Sequence, residues 1–166
     1  MRSLTKIIDN ILSKILIILM ALMVLDVTWQ VFTRFIMRDP SSFTEEVARF
    51  LLIWIGILGA AYALRTRAHL GIDILQMKLQ GVQRRTLDIL VYGIITTFSL
   101  FVMVIGGTRL VQLVFKLNQI SAALGIKMGY VYLVLPISGV LMIYYSLGFI
   151  IDAIAGRETE APEQKM

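Results

Sequence analysis

At 166 residues the chain is 58% hydrophobic and 16% charged, with a mean hydropathy of +0.81. An average soluble domain is about 25% charged, so composition excludes one and describes an all-α integral membrane protein. The net charge of +5 comes from basic residues set between apolar runs without interleaved aromatics, which points to lipid headgroups and away from nucleic acid; with no cysteine there is no disulfide or thiolate chemistry.

Arg2, Lys6 and Lys14 precede the apolar run Ile15 to Leu25, which looks like a secretion signal. No small-residue cleavage site follows, and the run continues past Asp26 to Met37, so the sequence predicts a retained first membrane helix. Leu4, Ile7, Ile8, Ile11, Leu12 and Ile15 share one helical face, which predicts either an interfacial lead-in helix or the wet end of the first helix. A membrane span takes about 20 mostly apolar residues. Four stretches meet this, at about 15–36, 44–64, 87–115 and 129–153, giving a single four-helix membrane domain over 1–156. The third stretch is longer than a span needs, so it should tilt, project or bend near Gly106 and Gly107. Pro136 withholds a backbone donor inside the fourth and predicts a kink. The polar tail 157–166 predicts a disordered cytoplasmic end.

Loop charges set the orientation. Ten Lys and Arg lie at the N-terminus, in the second loop and at the C-terminus (Arg2, Lys6, Lys14, Arg65, Arg67, Lys78, Arg84, Arg85, Arg157, Lys165), against four (Arg34, Arg38, Lys116, Lys127) near the other face. Both termini should therefore be cytoplasmic.

In the first helix Asp26, Gln30 and Arg34 fall four apart and form a polar stripe. A charged side chain within a span costs about 2.5 to 3.5 kcal/mol. Asp26 should therefore be hydrogen-bonded inside the bundle, or serve as a proton or cation site. The second helix opens on Ser42, Phe43, Thr44 and Glu45, which reads as a capping box. Arg49 follows Glu45 by four and Glu46 by three, and lies about 7 to 8 Å into the helix at 1.5 Å per residue. It needs a carboxylate, with Glu45, Glu46 or Asp26 as candidates and Arg34 able to complete a structural charge network. Further on, Gly56, Gly59 and Ala60 let another helix approach closely, and Trp54 near mid-membrane fits a packed interface. In the second loop Ile72, Leu75 and Leu79 lie on one face of an amphipathic helix at about 72–83. Arg65, Arg67, Arg84 and Arg85 should hold it to anionic headgroups, with His69 making an ordinary interfacial hydrogen bond.

With one histidine, no cysteine, no glycine-rich phosphate loop and no nucleophile beside a base, the sequence predicts no enzyme activity, no cofactor and no metal site.

The order Arg34, Thr44, Glu45, Glu46, Arg49, Trp54, Gly59, Ala60, Arg65, His69 and Asp73 resembles the small membrane subunit of TRAP transporters, of the DctQ or SiaQ type. So does the run Ala123 to Ile126 ahead of Tyr132, Leu135 and Pro136. Where Phe43 stands, that family commonly has tryptophan. The resemblance implies a scaffold subunit in the bacterial inner membrane that does not itself carry substrate. It would form a tight heterodimer with a large sodium-driven elevator subunit, while a periplasmic binding protein delivers an organic anion such as a C4-dicarboxylate or sialic acid. The rival reading is an autonomous homodimeric antiporter that exchanges protons through Asp26.

Overall fold

A computed structural model describes residues 2–37, 41–66 and 82–155. Four helices are long and apolar enough to cross a membrane: Thr5–Ile36, Ser42–Arg65, Gln83–Lys116 and Gly129–Ile154. The described residues contain no strand beyond an isolated bridge between Ile120 and Lys127. The expected amphipathic helix at 72–81 and the tail at 157–166 lie outside the described residues, and Val82 and Gln83 already belong to the third helix.

The first helix runs unbroken from Arg2 to Phe32 and ends in a π-helical turn, Thr33–Met37. The lead-in is therefore continuous with this helix and not a separate element. Its buried and half-buried positions include Ile8, Leu12, Leu16, Leu19, Met23, Asp26, Gln30 and Thr33, spaced three or four apart, which places them on one inward face. The second helix, Ser42–Arg65, starts one residue earlier than the capping box implied. Ser41 is the cap: its Oγ accepts from the Thr44 amide at 3.5 Å, and its carbonyl accepts from the Glu45 amide at 3.4 Å and the Thr44 hydroxyl at 3.0 Å. Ser42 sits exposed in the first turn.

The third helix is α-helical over Val82–Phe98, π-helical over Ser99–Gly106 and α-helical again over Gly107–Lys116. Its buried positions explain the change. Ser99, Met103, Gly107 and Val111 are buried at intervals of four. An α-helix turning 3.6 residues per turn would carry such a stripe about 40° off its face at every step, and the wider π turn drifts the other way, offsetting the α drift of the Gly107 to Val111 step. The Gly107 amide lies against the carbonyls of Val102, Met103 and Val104, where the wide spacing reverts to the α one. The irregularity expected near Gly106 and Gly107 is thus a widened turn that ends there. In the fourth helix the segment Gly129–Tyr132 is separated by Leu133 from Val134–Ile154. Pro136 lies in the first turn after that break, where a missing donor is tolerated.

Backbone contacts divide the chain into two compact units, Met1–Gly59 with Arg109–Val134, and Ala60–Thr108 with Leu135–Met166. In the first, Phe50, Val111, Val114 and Val131 are buried. The Phe115 ring meets Tyr130 edge-on at 5.2 Å and covers Gly129, where a Cβ would come within 2.6 Å of that ring. In the second, the third and fourth helices pack antiparallel. Gly107 faces Leu135 and Pro136, Gly139 faces Met103 and Val104, and Tyr92 stacks on Phe149 at 4.8 Å. Arg65 lies over the Tyr145 ring, 6.0 Å from its centroid.

A Cβ at Gly139 would come within 2.8 Å of the Met103 Cβ, which cannot move without its backbone. Gly139→Ala should therefore destabilise the chain by about 1 to 3 kcal/mol. A Cβ at Gly56 meets nothing within 4 Å, so Gly56→Ala in the isolated chain should be neutral or gain up to about 1 kcal/mol from helix propensity. Equilibrium unfolding in detergent checks both, and equal midpoints for the two variants would contradict the packing at Gly139.

Candidate functional site

Helix geometry separates the two adjacent acids at the start of the second helix, because successive side chains point about 100° apart. Glu45 stays on the exposed side and pairs with Arg49 one turn on, with Oε1 3.5 Å from Nη2 and the two side chains 64% and 65% exposed. Of the three candidate partners, Arg49 takes Glu45, one helical turn away on the same face. In water such an exposed pair contributes about 0.2 to 1 kcal/mol.

Glu46 turns the other way and is half-buried. Its Oε2 accepts the backbone N–H of Ala123 at 2.8 Å and of Leu124 at 3.0 Å, and the Ser121 side chain lies against the same carboxylate. These donors come from the connection between the third and fourth helices, folded back on itself as a short hairpin. The Ser121 amide donates to the Ile126 carbonyl at 2.9 Å and the Met128 amide to the Gln119 carbonyl at 3.0 Å. The chain reverses at Gly125, whose φ of +67° suits a residue without a Cβ, and its amide donates to the Ser121 carbonyl at 3.1 Å. Asn118, at φ +51°, opens the hairpin from the end of the third helix. Buried Ser121 supports the turn further, its Oγ accepting from the Leu124 amide at 3.2 Å. A carboxylate is purely an acceptor, and here it closes two turn donors on one oxygen. The arrangement braces a loop.

The first-helix members of the proposed network lie apart from this pair. Asp26 is on the inward face with Oδ2 buried and without a hydrogen-bond partner, while Arg34 is exposed in the terminal π turn. Between them the Thr33 hydroxyl donates to the Gln30 carbonyl at 3.0 Å. Along the second helix Trp54 and Gly59 are half-buried, and Gly56 and Ala60 are exposed. A Cβ on either glycine would have open space. Arg84 and Arg85 are exposed in the first turn of the third helix, whereas Arg67, His69, Ile72, Leu75 and Leu79 fall outside the described residues. Among the described residues no three His, Asp or Glu side chains gather as a metal site.

Sequence reasoning offered Glu46 as a partner for Arg49 and missed the hairpin. Its acceptor and donors are 77 and 78 positions apart, and backbone amides carry no residue signature. Removing the carboxylate should free the turn. In Glu46→Ala, amide hydrogen exchange across 119–128 should speed up by about tenfold or more, while Glu45→Ala leaves it unchanged. Equal protection in both variants, read by mass spectrometry, would show that Glu46 does not hold the loop.

Residues 11–156 match the family described as tripartite ATP-independent periplasmic transporters, DctQ component. The chain is 32% identical over 147 residues to the sialic acid TRAP transporter small permease protein SiaQ of Vibrio cholerae, covering 89% of this chain and 83% of the relative. It is 30% identical over 100 residues to the C4-dicarboxylate TRAP transporter small permease protein DctQ of Rhodobacter capsulatus, covering 60% and 44%. To the ectoine TRAP transporter small permease protein TeaB of Halomonas elongata it is 29% identical over 151 residues, covering 89% and 72%. A chain of four membrane-crossing helices matched over nearly its whole length belongs to the DctQ family, the small membrane subunits of tripartite ATP-independent periplasmic transporters.

Proposed function

We propose that this chain is the static small subunit of a sodium-driven, binding-protein-dependent importer of organic anions in a bacterial inner membrane. It forms a tight heterodimer with a large elevator-type membrane subunit, receives a periplasmic binding protein transiently, and catalyses no reaction of its own. The observation that carries this reading is the family match over residues 11–156. The relatives are named for sialic acid, a C4-dicarboxylate and ectoine, all carboxylate-bearing solutes, which supports an organic acid as the cargo. The scaffold role draws support from burial. Only 6% of the first span and 39% of the fourth are buried within the chain, so the helices leave most of their surface to neighbours.

Reconstitution tests the division of labour. Proteoliposomes holding this chain with its large subunit should take up an organic acid under a sodium gradient when binding protein is added, and this chain alone should take up none. Asp26→Asn in the complex should leave uptake within about twofold, since it removes a titrating group without removing a hydrogen bond made by Oδ2. Sodium-driven or proton-driven transport by this chain alone would overturn the scaffold reading.

We infer from the loop charges that both termini are cytoplasmic and that the braced hairpin faces the periplasm. The chain has no cysteine, so a single reporter thiol needs no prior substitution. The exposed position Ala122→Cys should react with a membrane-impermeant maleimide in intact spheroplasts. Labelling only after lysis would reverse the orientation.

A further inference from the structure

The second helix carries an exposed face that the described residues leave uncovered. We propose that this face, formed by Ser42, Glu45, Arg49, Leu52 and Gly56, seats a helix of the transporter's larger membrane subunit. The proposal rests on the small-subunit reading above and adds the location of the contact. The five positions are spaced three and four apart, so they fall on one side of the helix, and all are exposed. Phe50 and Leu58 lie buried on the same helix.

Two independent features of the face ask for a protein neighbour. The first is the ion pair. Glu45 and Arg49 hold each other at 3.5 Å, yet about two-thirds of each side chain is open, at 64% and 65%. Both belong to a helix that crosses the membrane, and Arg49 lies about 10 Å below the start of that helix at 1.5 Å per residue. The two side chains keep most of their hydrogen-bonding capacity open, and a polar group on a neighbouring helix completes it. The second feature is Gly56, two turns further along. Gly107, Gly129 and Gly139 lack a Cβ because their own chain occupies the space, but a Cβ at Gly56 would meet nothing within 4 Å. Intramolecular packing therefore does not require glycine there, and glycine weakens a helix relative to alanine. Membrane helices use such a site where a second backbone comes close. The occupant that suits both features is a membrane helix with a polar group level with Glu45 and Arg49 and a bulky apolar side chain over Gly56, with Leu52 packed between. The relatives are small permease proteins of tripartite systems, and the complementary membrane protein of such a system supplies that helix.

The test uses the full-length chain co-expressed with its larger membrane subunit. A photoreactive benzoylphenylalanine in place of Leu52 should give an adduct with the larger subunit in native membranes. Gly56→Leu should lower co-purification of the larger subunit by about tenfold or more, because a branched side chain keeps the two backbones apart. Its unfolding midpoint as an isolated chain should be no lower than the wild type's, since position 56 is exposed and leucine favours a helix over glycine. Adducts only to lipid or to a second copy of this chain, or undiminished co-purification of Gly56→Leu, would overturn this face while leaving the small-subunit reading intact. Failure of the wild-type chain to co-purify with any larger membrane subunit would overturn that underlying reading.

Discussion

Where a chain leaves a helix, its backbone donors lose their helical acceptors and each must find another. The connection between the third and fourth helices faces this demand in a short stretch. Its two arms pair with each other through Ser121 with Ile126 and Gln119 with Met128. A tight reversal cannot use all its amides that way, and those of Ala123 and Leu124 turn outward. One carboxylate oxygen on another helix takes both, at 2.8 and 3.0 Å. Glu46 thereby fixes the position of the loop and ties the second helix to it with charge-assisted hydrogen bonds.

The same demand shapes the two irregular helices. In the third, a buried stripe repeating every four residues from Ser99 to Val111 does not fit an α-helix. The chain widens into a π segment over Ser99–Gly106, whose drift opposes that of the α spacing resumed at Gly107. In the fourth, Pro136 cannot donate, and the helix is interrupted just ahead of it at Leu133. Both irregular stretches fall where helices approach closely: Gly107 lies against Leu135 and Pro136, and Gly139 against Met103 and Val104. A glycine paired with a large neighbour on the facing helix brings the backbones together, and the local departures from α geometry keep those pairs in register.

How much of this was legible follows from what each feature depends on. The four spans were readable because their determinant, about 20 apolar residues in a row, is wholly local. The Glu45 and Arg49 pair was legible only as one of three candidates, because Glu46 at three residues is as near on the helix as Glu45 at four. The helix start was misplaced by one residue because consecutive serines, Ser41 and Ser42, are equally able caps until backbone geometry chooses between them. The π turn left a trace in the spacing of Ser99, Met103, Gly107 and Val111, but that trace has meaning only once burial is known. The hairpin brace left none, since its donors are main-chain groups. The orphaned Asp26 oxygen was likewise invisible, because a polar stripe on a helix does not say which of its members turns inward.

The adjacent acids therefore carry separate parts of the architecture. Consecutive residues on an α-helix point about 100° apart, so Glu45 and Glu46 cannot share a partner surface. Glu46 directs its hydrogen-bonding capacity inside the chain, to two amides of the hairpin turn. Glu45 keeps Arg49 poised on the outside, where an ion pair in a membrane helix is only half satisfied by its own members. A pair of identical side chains read together as one charge network is, in three dimensions, one internal brace and one exposed ion pair. Effects on folding and effects on assembly should then divide between the two positions, because the helix has already divided what each can touch.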